Sequence, residues 1–201
     1  MKTKKGEKEK LRNEILDKSL EYLKKHGQGG SGTDHIMKSA GLTRGALYSH
    51  FKSKDDLFAQ AVCHDLKRLE KSLENRFRLR GKEALKEIIA DHLSEDSLKN
   101  VEEGCVFTSL STDMQRSKPM YRGMYEEIMN RVYSLFALMI QEQFPDNSRE
   151  DCLEKALNLY SGLVGTLTMA RTMKEPAKAR QILSAGRKFL TENFTASLKP
   201  A

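Results

Sequence analysis

The sequence has no tryptophan, only four prolines and only three cysteines in 201 residues. The cysteines, Cys63, Cys105 and Cys152, are far apart, and no Cys-x-x-Cys pair or nearby histidine gives them metal-ligand spacing. A disulfide framework and a structural zinc site are therefore not expected. Such a sparse, unpaired set suits a reducing compartment, and we predict no bound metal.

Long apolar runs and catalytic motifs are also lacking. No stretch approaches the roughly 18 consecutive apolar residues of a membrane-spanning helix, and no apolar segment follows the N-terminal lysines as in a signal peptide. We therefore predict a cytoplasmic protein with no membrane partner. Four aspartates, Asp65, Asp91, Asp96 and Asp113, have no accompanying nucleophile or base motif, and the glycine-rich segment 27–32 lacks the Lys-Ser/Thr of a phosphate-binding loop. The sequence thus predicts neither an enzyme nor a cofactor.

The positive charge is concentrated at one end of the chain. Residues 1–54 hold 13 Lys/Arg and 6 Asp/Glu, whereas residues 55–201 hold 22 of each. The whole formal excess of +7 therefore lies in the first segment. This distribution predicts an anionic partner for the N-terminal segment and a different role for the neutral remainder.

Apolar residues recur at helical spacing along the chain, and no segment alternates as a strand does. A short apolar piece, Cys105 to Leu110, could be mistaken for a strand, but no partner strand is visible, so we interpret it as helical. Three of the four prolines mark helix ends: Pro119 and Pro176 begin helices and Pro145 follows one. We predict an all-α fold of nine helices.

The stretch from Gly41 to Lys54 has the pattern of a tight turn followed by a short helix. Gly41 can adopt the positive φ that ends one helix, and Thr43 can cap the next. Leu47 and Phe51 lie four residues apart on one face, which leaves the other side chains free to point away. This arrangement is typical of a helix-turn-helix, which presents its second helix to the DNA major groove.

Neighbouring segments give this motif its context. Segment 27–32 has four glycines and predicts a flexible connector, after which Ser31 or Thr33 would cap the second helix. Ser53 would cap a long fourth helix that Gly81 interrupts. We therefore divide the chain into a DNA-binding domain, residues 1–54, a connecting fourth helix, about 54–79, and a ligand-binding and dimerisation domain, residues 80–201.

The spacing Tyr-x-His-Phe-x-x-Lys-x-x-Leu from Tyr48 to Leu57, placed after Ala40-Gly41-x-Thr43, resembles the TetR family of bacterial repressors. The strong resemblance covers about residues 7–65. Gly104-Cys105, the segment 162–165 and Ala170-Arg171 look like a common form of the family's C-terminal domain. The resemblance implies nine or ten helices and a dimer formed through the last two long helices.

The resemblance also implies DNA contacts. Phosphate contacts would come from Thr33, Tyr48, His50 and Lys54, and base contacts from Arg44, Gly45 and Ser49. Thr43 completes the predicted DNA-binding set. Phosphate contacts fix the register on a duplex, whereas a bidentate Arg44 could read guanine. Two positions depart from the family pattern, since Gly32 stands where threonine is frequent and Met37 where alanine is usual.

The remainder of the chain predicts a body with a ligand cavity, since methionines and aromatic residues suit a deformable apolar pocket. Each of these residues could equally be ordinary core. The candidate effector contacts are His92, Cys105, Phe107, Met114, Tyr121, Met124, Tyr125, Met129, Tyr133, Tyr160 and Arg171. The candidate dimer contacts are Leu157, Tyr160, Leu163, Val164, Leu167, Ile182 and Phe189, with Gly162 and Gly165 allowing close approach.

Together these expectations describe a homodimeric repressor that binds a palindromic double-stranded DNA operator and is released by a small-molecule effector. Two alternatives remain open. One is a constitutive DNA-binding regulator whose body only dimerises. The other is a thiol-based sensor of electrophiles or oxidants acting through Cys105, whose helix start lowers a thiol pKa while Glu102 and Glu103 raise it.

Overall fold

The computed structural model describes residues 3–196, and this part of the chain forms ten α-helices and no strand. The helices are α1 Thr3–His26, α2 Thr33–Ser39, α3 Arg44–His50, α4 Lys54–Arg80, α5 Glu83–His92, α6 Glu95–Lys99, α7 Val106–Gln115, α8 Pro119–Gln143, α9 Arg149–Arg171 and α10 Pro176–Phe194. The predicted all-α fold is confirmed.

Positive-φ glycines end the helices around the predicted turn. Gly27 (φ 70) closes α1, and Gly41 (φ 72) follows α2. Beyond Gly41, the Leu42 amide donates to the Met37 carbonyl at 2.9 Å while the Gly41 amide donates to Lys38. This pair of bonds is the usual way in which a left-handed residue terminates a helix. The turn predicted from Gly41 is therefore present.

Two of the predicted helix caps are not formed. Gly32, not Ser31 or Thr33, occupies the N-cap position of α2, and no side chain caps that helix. The Ser31 hydroxyl instead donates to the Gly27 carbonyl at 2.5 Å, so it is already used within the loop. Thr43 does precede α3 with an extended backbone, but its side chain makes no capping bond. Both short helices thus begin without side-chain caps.

Helix α4 has the start and the end that the sequence predicts. The Asp56 amide donates to the Ser53 hydroxyl at 3.1 Å, which confirms the predicted cap. The helix runs for 27 residues and ends before Gly81, which has φ 51. Acidic Asp55 and Asp56 lie in its first turn, where they interact favourably with the helix dipole.

The tenth helix is a short one that the periodicity did not predict. Helix α6 has five residues and begins after Ser94, whose hydroxyl accepts a bond from the Ser97 amide at 3.0 Å. A single turn is too short to show helical periodicity, so only its cap could have revealed it. The neighbouring apolar segment after Cys105 is helical, as expected, and forms α7.

The last three helices are long. Pro119 and Pro176 are the first residues of α8 and α10, as predicted. Helix α9 begins with a capping box in which the Ser148 hydroxyl accepts from the Asp151 amide and the Asp151 carboxylate accepts from the Ser148 amide. The capping box and Pro176 thus determine where α9 and α10 begin, and these are the two helices through which dimerisation is predicted.

The chain forms two compact units. One comprises the chain up to Lys67 together with Val101–Glu126, so α7 and the start of α8 pack with the N-terminal helices. The other comprises Arg68–Asn100 and the chain from Glu127 onward. Each unit has its own buried apolar residues. In residues 3–196, no helix combines the length and apolarity needed to cross a bilayer.

Candidate DNA-binding surface and effector residues

Helix α3 separates its packing side from its exposed side. Leu47 is fully buried and Phe51 is 3% exposed, so both belong to the core of their unit. Tyr48, by contrast, is 60% exposed, and Arg44 and Ser49 are exposed beside it. The helix therefore offers an arginine, a phenol and a hydroxyl on the surface while its apolar side holds it in place.

The exposed side chains of α3 keep hydrogen-bonding capacity beyond the contacts that they make within the unit. The Arg44 guanidinium lies 3.7 Å from the Asp34 carboxylate, and both side chains are about two-thirds exposed. An exposed pair of this kind contributes little and exchanges readily for a phosphate or a base edge. The Ser49 hydroxyl donates to the Ala46 carbonyl at 2.7 Å but retains lone pairs that accept from a base. Gly45 and Thr43 are exposed at the start of the same helix.

The remaining predicted phosphate contacts are only partly exposed. Thr33 is the first residue of α2 and is half-buried. His50 is also half-buried, and its Nδ1 atom is buried with no hydrogen-bond partner among the described residues. The Lys54 ammonium donates to the Gln28 carbonyl at 2.6 Å. Lys54 is therefore oriented by the preceding loop.

The glycine-rich connector, for which the composition predicts flexibility, makes specific contacts through one of its residues. Its residue Gln28 donates from the backbone amide to Asp113 Oδ2 at 3.0 Å and from the side-chain amide to Asp55 Oδ1 at 3.1 Å. Sequence reasoning missed these contacts because Asp113 lies 85 positions away. No local signal marks such a pairing.

One of the basic residues in the N-terminal segment is not part of the surface. The Lys24 side chain is 3% exposed and its ammonium lies 3.0 Å from Asp65 Oδ2, which is 19% exposed. The pair joins α1 to α4. It is structural, whereas Lys38, Arg44 and Lys52 supply exposed positive charge around the turn.

The predicted effector residues of the first unit are mostly interior. Met114, Tyr121 and Tyr125 are buried, and Cys105 and Phe107 are half-buried. Burial raises the pKa of Tyr125 to about 12, and its hydroxyl lies 3.4 Å from the Ser117 hydroxyl. Met124 is 38% exposed, so within this unit it faces outward, as expected of the opposite side of α8.

The second unit holds the other predicted effector residues, of which two are charged or titratable. Arg171 Nη2 donates to the Ser97 carbonyl at 2.7 Å. His92 has a buried Nε2 atom with no hydrogen-bond partner in the described part of the chain. Burial and, secondarily, the positive charge of Arg171 lower the pKa of His92 to about 4. The imidazole is therefore neutral near pH 7.

The aromatic and methionine residues of this unit are packed together or buried. The rings of Tyr133 and Tyr160 meet edge to face at 5.8 Å, and Phe136 lies 5.9 Å from Tyr160. Met129 is 4% exposed. This packing is what a core role requires, and an effector would reach these side chains only by displacing neighbours.

An open groove of about 760 Å³ lies between α4 and α5 on the second unit. Its walls include Arg68, Lys71, Arg76, Arg80, Glu87 and Asp91. A smaller groove is lined by Phe77, Leu138 and Pro145, among others. Neither contains any of the predicted effector residues. Among the described residues, no cluster of three or more His, Cys, Asp or Glu side chains could hold a metal ion.

The predicted dimer contacts on α9 and α10 divide into core and surface. Tyr160, Leu163 and Leu167 are at most 5% exposed within the chain itself, so they cannot also cover a partner. Leu157 and Phe189 are 42% and 61% exposed, and Val164 and Ile182 are half-buried. The interface predicted from apolar spacing therefore includes residues of the side of α9 that packs within the chain.

Glycines bring α9 and α10 close to each other within the chain. A Cβ atom at Gly162 would lie 2.8 Å from Leu190 Cδ2, and one at Gly186 would overlap the Thr166 side chain. Gly165 faces open space. Gly162 therefore serves packing inside the chain, in contrast to the predicted role between chains, while Gly165 remains available to a partner.

Comparisons with known proteins agree with this geometry. The profile described as "Bacterial regulatory proteins, tetR family" matches residues 15–61, which include α2, α3 and the start of α4. Residues 15–61 therefore carry the segment that this tetR-family profile describes. AcrR of Shigella flexneri is 44% identical over 56 residues, which cover 28% of this chain and 26% of that regulator. PksA of Bacillus subtilis is 24% identical over 86% of this chain and 83% of its own length.

Solved structures of similar fold cover most of the chain. Reduced NemR of E. coli matches with a TM-score of 0.77 and 15% identity over 94% of this chain and all of that one. FadR of B. subtilis in complex with stearoyl-CoA matches with a TM-score of 0.69 and 18% identity, over 88% of this chain and 96% of that one. A Saccharomonospora viridis regulator in complex with choline matches with a TM-score of 0.74 and 18% identity, over 92% of this chain and 97% of that one.

The matched segment indicates the broad class of function. Residues 15–61 match the DNA-binding regulators of the tetR family, and the named relatives that share this segment are transcriptional regulators. The named relatives are transcriptional regulators, so the expectation that the chain is not an enzyme is confirmed by the comparisons.

Proposed function

We propose that the chain is a ligand-responsive repressor that binds a palindromic operator as a homodimer. The observation that carries this proposal is the exposed surface of α3, where Arg44, Tyr48 and Ser49 lie opposite the buried Leu47 and Phe51. A seven-residue helix reads few base pairs alone. Two such helices related by a twofold axis, about 34 to 36 Å apart, read one palindrome together.

The division of labour follows from the chemistry of the exposed groups. Arg44 is placed to donate to guanine O6 and N7, and Gly45 leaves room for close approach of the helix start. Tyr48, His50, Lys54 and Thr33 would fix the register on phosphates. In this proposal residues 1–54 are the DNA-binding domain and α4 is the connection. Residues 80–201 are the ligand-binding and dimerisation domain of a cytoplasmic regulator, although Val101–Glu126 packs in the compact unit of the N-terminal helices.

The homodimer would form through the outward sides of α9 and α10. These sides carry exposed apolar residues that have no cover within the unit. They are Leu153, Leu157, Met169 and Phe189. Exposed apolar side chains gathered on two adjacent long helices favour a self-complementary interface.

The effector is supported by ligand complexes in proteins of similar fold, which hold stearoyl-CoA in one case and choline in another. In this chain the buried, unpartnered Nε2 of His92 favours a ligand with a polar group, because burying a polar atom without a hydrogen bond is costly. Arg171 lies close enough to lower the pKa of His92 and would add positive potential to that ligand site.

Release from DNA would follow from differential affinity. The effector must favour a dimer whose DNA-binding domains are wrongly spaced, and moving nearly all of the population requires about a 10⁴-fold preference, or about 5.5 kcal/mol. Helix α4 is the natural lever because it begins beside α3 and continues into the second unit without interruption.

The test begins with a duplex enriched from a random-sequence pool by the wild-type chain. Arg44→Ala should cost about 1 to 3 kcal/mol and relax the preference at one guanine position, whereas Tyr48→Phe should weaken binding to all sequences alike. The exposed Arg180→Ala serves as a charge-matched control on α10. Failure to enrich any duplex, or equal losses for Arg44→Ala and Arg180→Ala, would contradict operator recognition.

The ligand-responsive part is tested separately by thermal melting with acyl-coenzyme A thioesters and quaternary amines, the classes found in the two similar structures. A stabilising compound should also release the selected duplex, since it binds one state preferentially. Unchanged melting and unchanged DNA binding with both classes would favour a constitutive regulator.

A thiol-based sensor is the second candidate, favoured by one observation. Cys105 is half-buried at the N-cap of α7, whereas Cys63 and Cys152 are 5% and 1% exposed. Burial raises the pKa of the Cys152 thiol, which donates to Gln141 Oε1 at 3.3 Å. Alkylation followed by mass spectrometry should therefore label Cys105 first. Equal labelling of the three cysteines in the folded protein would exclude this candidate.

A further inference from the structure

A chain of hydrogen bonds runs from α7 to a predicted phosphate contact at the start of α4. Asp113 Oδ2 accepts from the Gln28 backbone amide at 3.0 Å, and the Gln28 carbonyl accepts from the Lys54 ammonium at 2.6 Å. All three residues belong to the first compact unit. Gln28 therefore links the two side chains, since its amide binds the Asp113 carboxylate and its carbonyl binds the Lys54 ammonium.

The loop is shaped for this arrangement. Gly27 has φ 70, which an L-residue rarely adopts, and a Cβ atom there would lie 3.5 Å from Asp113 Oδ2. The turn therefore brings the Gln28 amide to the carboxylate while the α1 helix ends. A second bond, from Gln28 Nε2 to Asp55 Oδ1, holds the same residue against α4.

Asp113 is itself held in place. Its side chain is 16% exposed, and Arg116 Nη1 lies 3.9 Å from Oδ1, the oxygen that does not bind Gln28. The Ser117 hydroxyl donates to the Asp113 backbone carbonyl at 3.3 Å. A partly buried carboxylate that accepts a backbone amide makes a stronger bond than a neutral acceptor would.

We propose that Asp113 is a positioning residue for DNA binding, which acts through Gln28 to orient the Lys54 ammonium. Lysine has three donors, so the bond to the Gln28 carbonyl fixes the direction of the other two and leaves them for phosphate oxygens. Preorganisation of a flexible side chain removes an entropic cost from binding. This inference rests on the proposed phosphate contact of Lys54.

The same chain of bonds gives the effector a route to the DNA contact. Helix α7 carries Asp113 and also Phe107 and Met114, which are predicted effector contacts. A ligand that displaces α7 would withdraw the carboxylate from Gln28 and loosen the acceptor of Lys54. DNA affinity would then fall without any change in the exposed residues of α3.

The sign of the effect of Asp113→Ala separates this role from simple electrostatics. Removing a negative charge near a DNA-binding surface should strengthen binding to the anionic duplex. Loss of the positioning bond should weaken binding instead, by roughly tenfold, because a hydrogen bond to a charged group contributes more than one between neutral groups. The two explanations thus predict opposite changes.

The experiment is a double-mutant cycle on the duplex selected by the wild-type chain, with affinity measured over a range of salt concentrations. Lys54→Ala should reduce the slope of log affinity against log salt by about one per chain. Asp113→Ala should reproduce that reduction in slope. The double variant, Lys54→Ala with Asp113→Ala, should have nearly the same slope and affinity as Lys54→Ala alone. Asp113→Asn retains an acceptor oxygen and should restore most of the slope. Arg116→Gln, which removes only the exposed neighbour of Asp113, should keep the wild-type slope.

Several outcomes would overturn the inference. These are tighter binding by Asp113→Ala, an unchanged slope, additive losses in the double variant, or no rescue by Asp113→Asn. Circular dichroism and melting identify any variant that has lost its fold, and the comparison of Asp113→Asn with wild type then decides the question. If the wild-type chain selects no duplex, the proposed function fails before the cycle begins.

Discussion

Lys24 and Asp65 form an ion pair between α1 and α4 in which the ammonium lies 3.0 Å from the carboxylate and only 3% of the lysine side chain is exposed. The two partners differ in access to water, because 19% of the Asp65 side chain is exposed. Breaking a buried pair is expensive mainly through the charge that is left behind.

We therefore expect unequal effects of removing the two partners. Asp65→Asn leaves the buried ammonium without its counter-charge and should reduce the free energy of unfolding by about 3 kcal/mol, whereas Lys24→Met should cost clearly less. Urea unfolding measures both. The exposed pair of Lys10 and Glu14 provides the control, since Lys10→Met should change stability by less than about 0.5 kcal/mol. Equal losses for Asp65→Asn and Lys24→Met would contradict this asymmetry.

Gly41 and Gly45 give a second pair of contrasting substitutions. Gly41 has φ 72, so Gly41→Ala should destabilise the chain by about 1 to 2 kcal/mol, the cost of a left-handed alanine. Gly45 has no positive φ, and a Cβ atom there meets nothing nearer than 4.0 Å. Gly45→Ala should therefore leave stability unchanged or slightly raised.

The two variants should also differ in DNA binding. Gly45→Ala adds a methyl group to the exposed start of α3 and should weaken binding to the selected duplex while melting as wild type does. Gly41→Ala should change binding only as far as it unfolds the chain. Thermal melting and fluorescence anisotropy on the same samples distinguish the two. A Gly45→Ala variant with wild-type affinity would remove Gly45 from the predicted base-facing surface.

The sequence could predict the helices and the turn because their signals are local. Apolar spacing, the helix-ending Gly41 and the Ser53 cap all act within a few residues, and each is found where expected. Helix α6 could not be predicted because its five residues are too few to show helical periodicity. The Gln28 contacts could not be predicted because they join segments 26 to 85 positions apart, which only the tertiary structure brings together.

The sequence also could not show which apolar residues belong to the core and which to an interface. Tyr160 and Leu157 lie on the same helix at helical spacing, yet one is 5% exposed and the other 42%. Periodicity shows that a helix has apolar sides but cannot tell which side packs within the chain and which remains for a partner. The candidate effector residues raise the same difficulty, since methionines and aromatics serve in cores and in pockets alike.

His92 should make the stability of the chain fall in mild acid. Its pKa is lowered from 6.5 to about 4, first by burial and then by the charge of Arg171, so the unfolded chain binds the proton more tightly. The contribution of neutral His92 to the free energy of unfolding is therefore fully present above about pH 6.5, and it is lost as the pH falls towards 4. From about pH 7.5 to pH 5, His92 should account for a loss of about 2 kcal/mol.

Urea unfolding of wild type and His92→Phe at the two pH values checks this expectation. The variant should lose about 2 kcal/mol less than wild type on acidification, since the phenyl ring binds no proton. Substitution of the exposed His35 by Gln should leave the wild-type pH dependence intact. If His92→Phe and wild type lose equal stability, His92 is not held neutral by its surroundings.

Phe189 and Leu163 distinguish an interface from a core on the last two helices. Phe189 is 61% exposed, so Phe189→Glu should leave the chain folded but place a charge in the proposed dimer interface. Interface anchors commonly contribute about 2 kcal/mol or more, so the dimer dissociation constant should rise about 30-fold or more. Leu163 is 1% exposed, and Leu163→Glu should instead unfold the chain, because an unpaired charge cannot be buried cheaply.

Sedimentation and circular dichroism on the same samples read out association and folding separately. The matched surface control is Lys188→Glu, which changes charge at the neighbouring exposed position of α10. Phe189→Glu should sediment as a folded monomer at concentrations where Lys188→Glu remains dimeric, and its operator affinity should fall because two recognition helices no longer act together. A Phe189→Glu variant that stays dimeric would move the interface away from this side of α10.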